Sequence, residues 1–94
     1  MKTKIKVQNM RSTRTGNNVA NQFIIYTNKG TYFQSYSSII AFIRKKDSKV
    51  FLDSYYWDYS RTTSKYRNIF LNETTEETKR KIKEGIYKLA NLNK

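Results

Sequence analysis

The chain has no cysteine, no histidine and no proline, and only three of its 94 residues are glycine. Without thiols it cannot form a disulfide framework, and without thiols or imidazoles a structural zinc site lacks its usual ligands. The same absences remove the Ser–His and Cys–His pairs that activate most nucleophiles. Gly16, Gly30 and Gly85 are isolated, so there is no glycine-rich phosphate loop. We expect no metal and no cofactor, and a fold held by aromatic and aliphatic packing.

Long hydrophobic runs are also missing. The longest are Phe23–Tyr26 and Ile39–Ile43, which are too short to span a bilayer, and no apolar run of signal-peptide length opens the chain. The length suits a single domain over residues 1–94. We expect a soluble protein of a bacterial cytoplasm, with no membrane partner.

Acidic residues are scarce, with seven against 19 lysines and arginines, which gives a net charge of +12. None of the seven lies in residues 1–46, so that half carries +9, whereas residues 47–94 carry +3. A positive field concentrated in one half indicates a surface that faces a polyanion. The partner we expect is nucleic acid, either DNA or RNA, or a host protein that processes nucleic acid.

The first half of the chain is predicted to form strands, because β-branched and aromatic residues alternate with polar ones. Gly30 can take the positive φ that closes a hairpin. The predicted strands are Lys4–Val7, the two arms of a hairpin over Gln22–Tyr36, Ser38–Arg44 and Lys49–Asp53. The polar segment 9–18 is predicted to be a flexible basic loop. The predicted core positions are Phe23, Ile25, Phe33, Ile39, Ile43, Val50 and Leu52.

Two helices are predicted in the second half. A short one covers Ser64–Leu71 with Thr63 as its cap. The other starts at Thr74, which has capping-box spacing to Glu77, and stops near Gly85. Residues 86–92 fit a helix or a strand, and we favour a short strand. The sequence therefore predicts an α+β fold, an antiparallel β-meander of four to five strands followed by a short helix and a C-terminal helix.

Basic side chains without nearby carboxylates are the best candidates for contact with nucleic acid, and one tyrosine joins them as a stacking residue. This candidate set is Lys2, Lys4, Lys6, Arg11, Arg14, Lys29, Arg44, Lys45, Lys46 and Tyr26. The N-terminal members, from Lys2 to Arg14, are its strongest part. Secondary candidates are Arg61, Lys65 and Arg67.

Aromatic residues number fourteen, and strand alternation bears on their role. It predicts that Tyr26, Tyr32, Tyr36 and Phe42 lie on the sheet face opposite the core, where they would stack on unpaired bases. In the alternative, helices cover that face and the tyrosines join the core. Tyr56 and Trp57 are predicted to be buried between sheet and helices.

The sequence contains few residues that could act in catalysis. Asp53 and Asp58 flank the aromatic segment as a possible carboxylate pair, but Asp53 ends a strand and Asp58 suits pairing with Arg61 or capping a turn. We therefore predict a non-enzymatic protein. One catalytic alternative is a small RNase of the toxin type, which would use Tyr59, Arg61, Lys65, Tyr66 and Arg67.

Residues 21–71 resemble an uncharacterised family of small phage and mobile-element proteins from low-GC Gram-positive bacteria. The segments that carry the resemblance are Tyr32–Tyr36, Tyr56–Ser60, Thr62–Thr63, Lys65–Arg67 and Phe70–Leu71. It implies a phage or plasmid accessory protein, and many of these act on host nucleic-acid machinery or disarm defence nucleases. The leading hypothesis is a nucleic-acid-binding accessory protein. The alternative is an anti-CRISPR or anti-restriction type inhibitor that binds a nuclease, and the third is the RNase toxin.

Overall fold

A computed structural model describes residues 5–94 and contains one six-stranded sheet with two helices. The strands follow one another across the sheet in chain order. The elements are β1 Lys6–Arg11, β2 Asn18–Tyr26, β3 Gly30–Ser35, β4 Ser38–Arg44, β5 Val50–Asp53, α1 Arg61–Leu71, α2 Thr75–Lys83 and β6 Lys88–Ala90. Strands β1 to β5 form an antiparallel meander, and β6 pairs parallel with β5. The predicted α+β meander with a short terminal strand is confirmed.

The loop predicted over residues 9–18 is shorter in the structure. Asn9 to Arg11 continue β1 and Asn18 already belongs to β2, so only residues 12–17 form the connection. Met10 is the reason β1 extends this far, because its side chain is 4% exposed and joins the core. The hydroxyl of Ser12 accepts the backbone N–H groups of Arg14 and Thr15, which makes the connection a tight turn.

One face of the sheet packs against the helices, and we call it the inward face. The pairs Ile24–Phe33, Phe33–Ala41 and Ala41–Leu52 lie opposite one another there, since paired residues share a face. The buried hydrophobic core consists of Met10, Phe33, Ile40, Ala41, Leu52 and Tyr87.

The predicted core was right for Phe33 and Leu52 and for Val50, which packs against the cluster. It was wrong for the other four positions, Phe23, Ile25, Ile39 and Ile43, which are only half-buried and lie outside the cluster. In β2 the inward residue is Ile24, which puts its neighbours Phe23 and Ile25 on the other face. In β4 the pairing with β3 shifts between Phe33 and Gln34, and this irregularity brings Ile40 into the core.

Helix α1 begins three residues earlier than predicted. Its N-cap is Ser60, whose hydroxyl accepts the N–H of Thr63 at 3.1 Å. Thr63 is instead buried, with its hydroxyl 2.9 Å from that of Ser35, which anchors the helix to β3. For α2 the capping box of Thr74 and Glu77 is confirmed.

The helices and the preceding loop pack on the inward face only. Their side chains in contact with the core are Tyr56, Trp57, Tyr66, Phe70, Leu71 and Ile82. The prediction that Tyr56 and Trp57 pack between sheet and helices agrees with this arrangement, although both are half-buried. The opposite face of the sheet carries Val7, Ile25, Tyr32, Phe42 and Phe51, and we call it the open face. Neither helix over residues 5–94 has the length and apolar character needed to cross a membrane.

Candidate nucleic-acid interface

Three aromatic side chains stand in line across the open face. Tyr32, Phe42 and Phe51 occupy paired positions on β3, β4 and β5, and Ile25 and Val7 continue the line to β1. The ring centroids of Tyr32 and Phe42 are 4.4 Å apart with 23° between their planes, so these rings face each other. Those of Phe42 and Phe51 are 6.2 Å apart at 26°. We call these three residues the aromatic row.

Gly30 allows Phe42 to sit close to the sheet. Its φ is +156°, and a Cβ placed there would collide with the carbonyl oxygen of Ile43 and the Phe42 ring. A glycine at the start of β3 therefore opens the space that the aromatic row occupies.

Three lysines border the row at one end of the sheet. The β2–β3 and β4–β5 turns meet there, since the N–H of Lys45 donates to the carbonyl of Lys29 at 2.9 Å. Lys29, Lys45 and Lys46 are exposed, and among residues 5–94 none of them has an ion-pair partner. We call these three lysines the basic rim.

Arg44 connects the basic rim to the aromatic row. Its guanidinium lies 5.0 Å from the centroid of the Phe51 ring and donates to both carboxylate oxygens of Asp47, at 3.0 and 2.8 Å. The hydrogen bonds from Arg44 lower the pKa of Asp47 to about 2, so this pair stays ionised near neutral pH. Asp47 therefore fixes Arg44 as a flat cationic surface and leaves the charge of the basic rim uncompensated.

Two open cavities share the side chains of Tyr32, Phe42 and Arg44. The first, of about 660 Å³, is completed by the two turns with Asn28, Lys29, Lys45 and Lys46. The second, of about 350 Å³, is completed by Phe51, Asn91, Leu92 and Lys94. Together they form a groove with cations on its walls and aromatic carbon on its floor.

The residues that follow β6 are fixed by hydrogen bonds to β4 and to Asp53 of β5. The side-chain amide of Asn93 accepts from the N–H of Ile39 at 2.6 Å and donates to its carbonyl at 2.8 Å. The N–H of Leu92 donates to Asp53 at 2.8 Å. These bonds position Leu92 and Lys94 beside Phe51, so the second cavity has a built wall.

The basic residues proposed from the sequence fall into two groups at opposite ends of β2. Lys29, Arg44, Lys45 and Lys46 lie together at the β2–β3 turn, whereas Arg11 and Arg14 lie at the β1–β2 turn. Nine residues of strand separate the two turns, which is about 30 Å at ~3.3 Å per residue. Arg11 there donates to the carbonyl of Gly16 at 3.0 Å.

Four members of the predicted set remain. Lys2 and Lys4 lie outside the described residues. Lys6 pairs with Tyr26, and both side chains belong to the inward side of the sheet. Tyr26, 39% exposed, borders a separate cavity with Thr31 and Ile43.

Only two of the four residues predicted for the aromatic face lie together on one face of the sheet. Tyr32 and Phe42 do share the open face, but Tyr26 is on the other side of the sheet. Tyr36 is in the β3–β4 turn with 48% exposure, at the end away from the basic rim.

The secondary candidates do not form one exposed site. Arg61 and Lys65 are exposed on α1, whereas Arg67 is fully buried and ion-pairs with Asp58 at 3.2 Å. Asp58 therefore pairs with Arg67 and not with Arg61. Asp53 is also buried and accepts the backbone N–H groups of Tyr55, Tyr56 and Leu92. Both aspartates and Arg67 thus hold loops in place.

Sequence reasoning missed Phe51, Leu92 and Lys94 in the groove. A signal existed for Phe51, because it alternates with Val50 and Leu52, which were predicted to face the core. No local pattern pointed to Leu92 or Lys94, since these come to β5 only through the parallel pairing of β6.

Residues 5–85 match a protein family described as a family of unknown function (DUF8033). The match covers most of the chain, which therefore belongs to this family. No curated protein and no solved structure matches the chain.

Proposed function

We propose that this member of the DUF8033 family is a non-enzymatic protein that binds nucleic acid through the open face of its sheet. The observation that carries the proposal is the aromatic row with the basic rim beside it. A groove that offers ring carbon on its floor and uncompensated ammonium groups on its wall matches a chain of bases joined by phosphates.

The charges favour a polyanion over an apolar small molecule. The rim lysines have no carboxylate partner among residues 5–94, and Asp47, which follows Lys46 in the chain, is occupied by Arg44. Phosphate binding would release the counterions that now surround this end of the sheet, so affinity should fall steeply with salt. This site differs from the N-terminal surface that sequence reasoning preferred, because Arg11 and Arg14 lie at the far end of β2.

The setting we propose is that of a phage- or plasmid-type accessory protein in a bacterial cytoplasm. Its support is the resemblance of residues 21–71 to small phage and mobile-element proteins. In that setting the protein would bind DNA or RNA of its host or its own element.

The test is binding of fluorescent oligonucleotides, single- and double-stranded, over a range of salt concentrations. We expect measurable affinity at low salt and a negative slope of log K against log [salt]. Replacing Lys45 and Lys46 by Gln should lower the affinity and flatten the slope by roughly 1 to 2 units. The matched control replaces Lys79 and Lys83 of α2 by Gln, since these lysines are also exposed and their replacement removes the same charge. Equal effects of the two double variants, or no salt dependence, would contradict the proposal.

An inhibitor of a host or defence nuclease, of the anti-CRISPR or anti-restriction type, is the second candidate. It is favoured by Val7 and Ile25, which extend the aromatic row as an apolar strip towards β1, and Val7 is 58% exposed. Bases need no such strip, whereas a protein partner would cover it. A pull-down from host lysate, with and without nuclease treatment, separates the two. A partner protein that survives the treatment supports the inhibitor, and one lost with the nucleic acid supports the binding protein.

A further inference from the structure

We infer that the groove takes two consecutive unpaired nucleotides, one in each cavity, and that it discriminates against duplex. This inference rests on the proposed function. It follows from the way the two cavities share the residues between them, Tyr32, Phe42 and Arg44.

The shared residues form a ridge on the floor of the groove, and this ridge is the wall between the two cavities. Since the Tyr32 and Phe42 rings face each other at 4.4 Å, no base fits between these two. A ligand must instead contact the wall from the cavity on either side of it. The cavity volumes, about 660 and 350 Å³, lie in the range of small-ligand sites, so each is large enough for one nucleotide.

Each cavity supplies its own cation and its own hydrogen-bonding amide. The first has the basic rim with Asn28, and the second has Lys94 with Asn91. Phosphates on either side of a two-nucleotide step would therefore each find an ammonium group. The amides can donate to and accept from the edges of bases, which are free only when the bases are unpaired.

Duplex nucleic acid does not fit this arrangement. In a duplex the faces of the bases are stacked on their neighbours and the pairing edges are occupied, so only the phosphates could reach the basic rim. The ring carbon exposed in the two cavities would remain without contact, and its contribution to binding would be lost.

The experiment is a length series of single-stranded oligonucleotides from one to six residues, in DNA and RNA forms, beside a hairpin duplex. Affinity should rise steeply from one to two nucleotides and slowly beyond two. The duplex should bind at least about tenfold more weakly than the two-nucleotide ligand, because the ring contacts of both bases are lost.

Phe51→Leu gives the decisive variant, because Phe51 lines the second cavity and not the first. It should lower the affinity for the two-nucleotide ligand about tenfold and the mononucleotide affinity by a smaller factor, because Arg44, which packs on Phe51, also lines the first cavity. Phe51→Tyr keeps a ring and should restore binding. Tyr36→Leu removes an exposed ring at the other end of the sheet and is the matched control. Should Phe51→Leu unfold, Lys94→Gln tests the same cavity without changing the sheet, with the same loss confined to the longer ligand.

The outcomes separate the inference from the function on which it rests. Equal affinity for duplex, or a uniform gain with each added nucleotide, overturns the inference and leaves nucleic-acid binding intact. Absence of any binding at low salt overturns both, as does capture of a protein partner alone.

Discussion

Arg67 is the residue whose role in the structure differs most from the role that the sequence suggests, because its guanidinium is buried. It donates to the carbonyl of Trp57 and to side chains of Asp58, Asn68 and Thr75, and it lies 5.1 Å from the centroid of the Trp57 ring. In the sequence an arginine in a basic chain reads as a surface cation. Its burial depends on the loop before α1 and on the start of α2, which no local pattern brings together.

Replacement of Arg67 by Ala should lower the free energy of unfolding by about 3 kcal/mol, because it leaves partly buried acceptors without donors. Arg61→Ala, an exposed arginine of the same helix, should change it by no more than about 0.5 kcal/mol. Urea unfolding of the two variants measures this. Similar small losses for both would show that the Arg67 network contributes little to stability.

Glu73 links the start of α2 to the segment before β6. Its carboxylate accepts hydrogen bonds from Lys81 at 2.7 Å, from the Tyr87 hydroxyl at 2.6 Å and from Thr78. Burial opposes its charged form, but these hydrogen bonds outweigh burial, so the pKa of Glu73 is lower than its usual value of 4.5. Burial, followed by the hydrogen bond to Glu73, raises the pKa of Tyr87 to about 12.

Because folding lowers the pKa of Glu73, the free energy of unfolding depends on pH. Its contribution is complete above the unfolded value of 4.5 and is lost as pH falls through the lower folded value. Glu73→Gln should therefore lower the free energy of unfolding at pH 7 and flatten its decline below pH 4.5. Urea midpoints measured from pH 7 to pH 3 test this, with Glu84→Gln in an exposed ion pair as the control. A Glu73→Gln curve parallel to that of the unchanged protein would refute it.

At the scale of elements, the β2–β3 hairpin and the start of α2 were predictable because their signals are local. Gly30 in a turn between alternating strands and the Thr74/Glu77 pair need only their neighbours in the chain. Which residues of β2 face inward was not predictable, since Phe23, Ile24 and Ile25 form a continuous apolar run. Pairing with Phe33 decides it, and that register is a property of the sheet.

The start of α1 shows the same limit. Ser60 and Thr63 are both good N-caps three residues apart, so sequence alone cannot choose between them. The hydrogen bond of Thr63 to Ser35 in β3 requires Thr63 to be inside the helix, which leaves Ser60 as the cap. A contact between residues far apart in the chain therefore sets a local boundary.

The hairpin turn at Gly30 offers a prediction at this scale. Gly30→Ala should destabilise the protein by well over ~1 kcal/mol and displace Phe42, because the new Cβ would meet the Phe42 ring and the Ile43 carbonyl. Gly16→Ala is the matched control, since Gly16 also has a positive φ, of +74°, but no atom lies within 4 Å of its Cβ position. It should cost only about 1 kcal/mol of backbone strain. Thermal unfolding and near-ultraviolet circular dichroism compare the two, and equal losses would mean that the packing at Gly30 is looser than described.

At the scale of the whole molecule, folding redistributes the charge that dominates the sequence. The first half carries +9 and no acid, yet the described part of it is divided between the two ends of β2. The groove combines Lys29 and Arg44–Lys46 from that half with Phe51 and Lys94 from the other. Composition predicted a polyanion partner and part of the cation set. The aromatic row needed the cross-strand register, which only the folded sheet supplies.

The most direct test of the proposed interface is an NMR titration of the ¹⁵N-labelled protein with a short single-stranded oligonucleotide at low salt. Binding at the open face predicts that amide shifts concentrate in β3, β4 and β5 around Tyr32, Phe42 and Phe51, and in the turns that carry the basic rim. The turn over residues 12–17 and the exposed side of α2 should remain unchanged. Shifts centred on Arg11 and Arg14 with a silent open face, or no shifts at all, would contradict it.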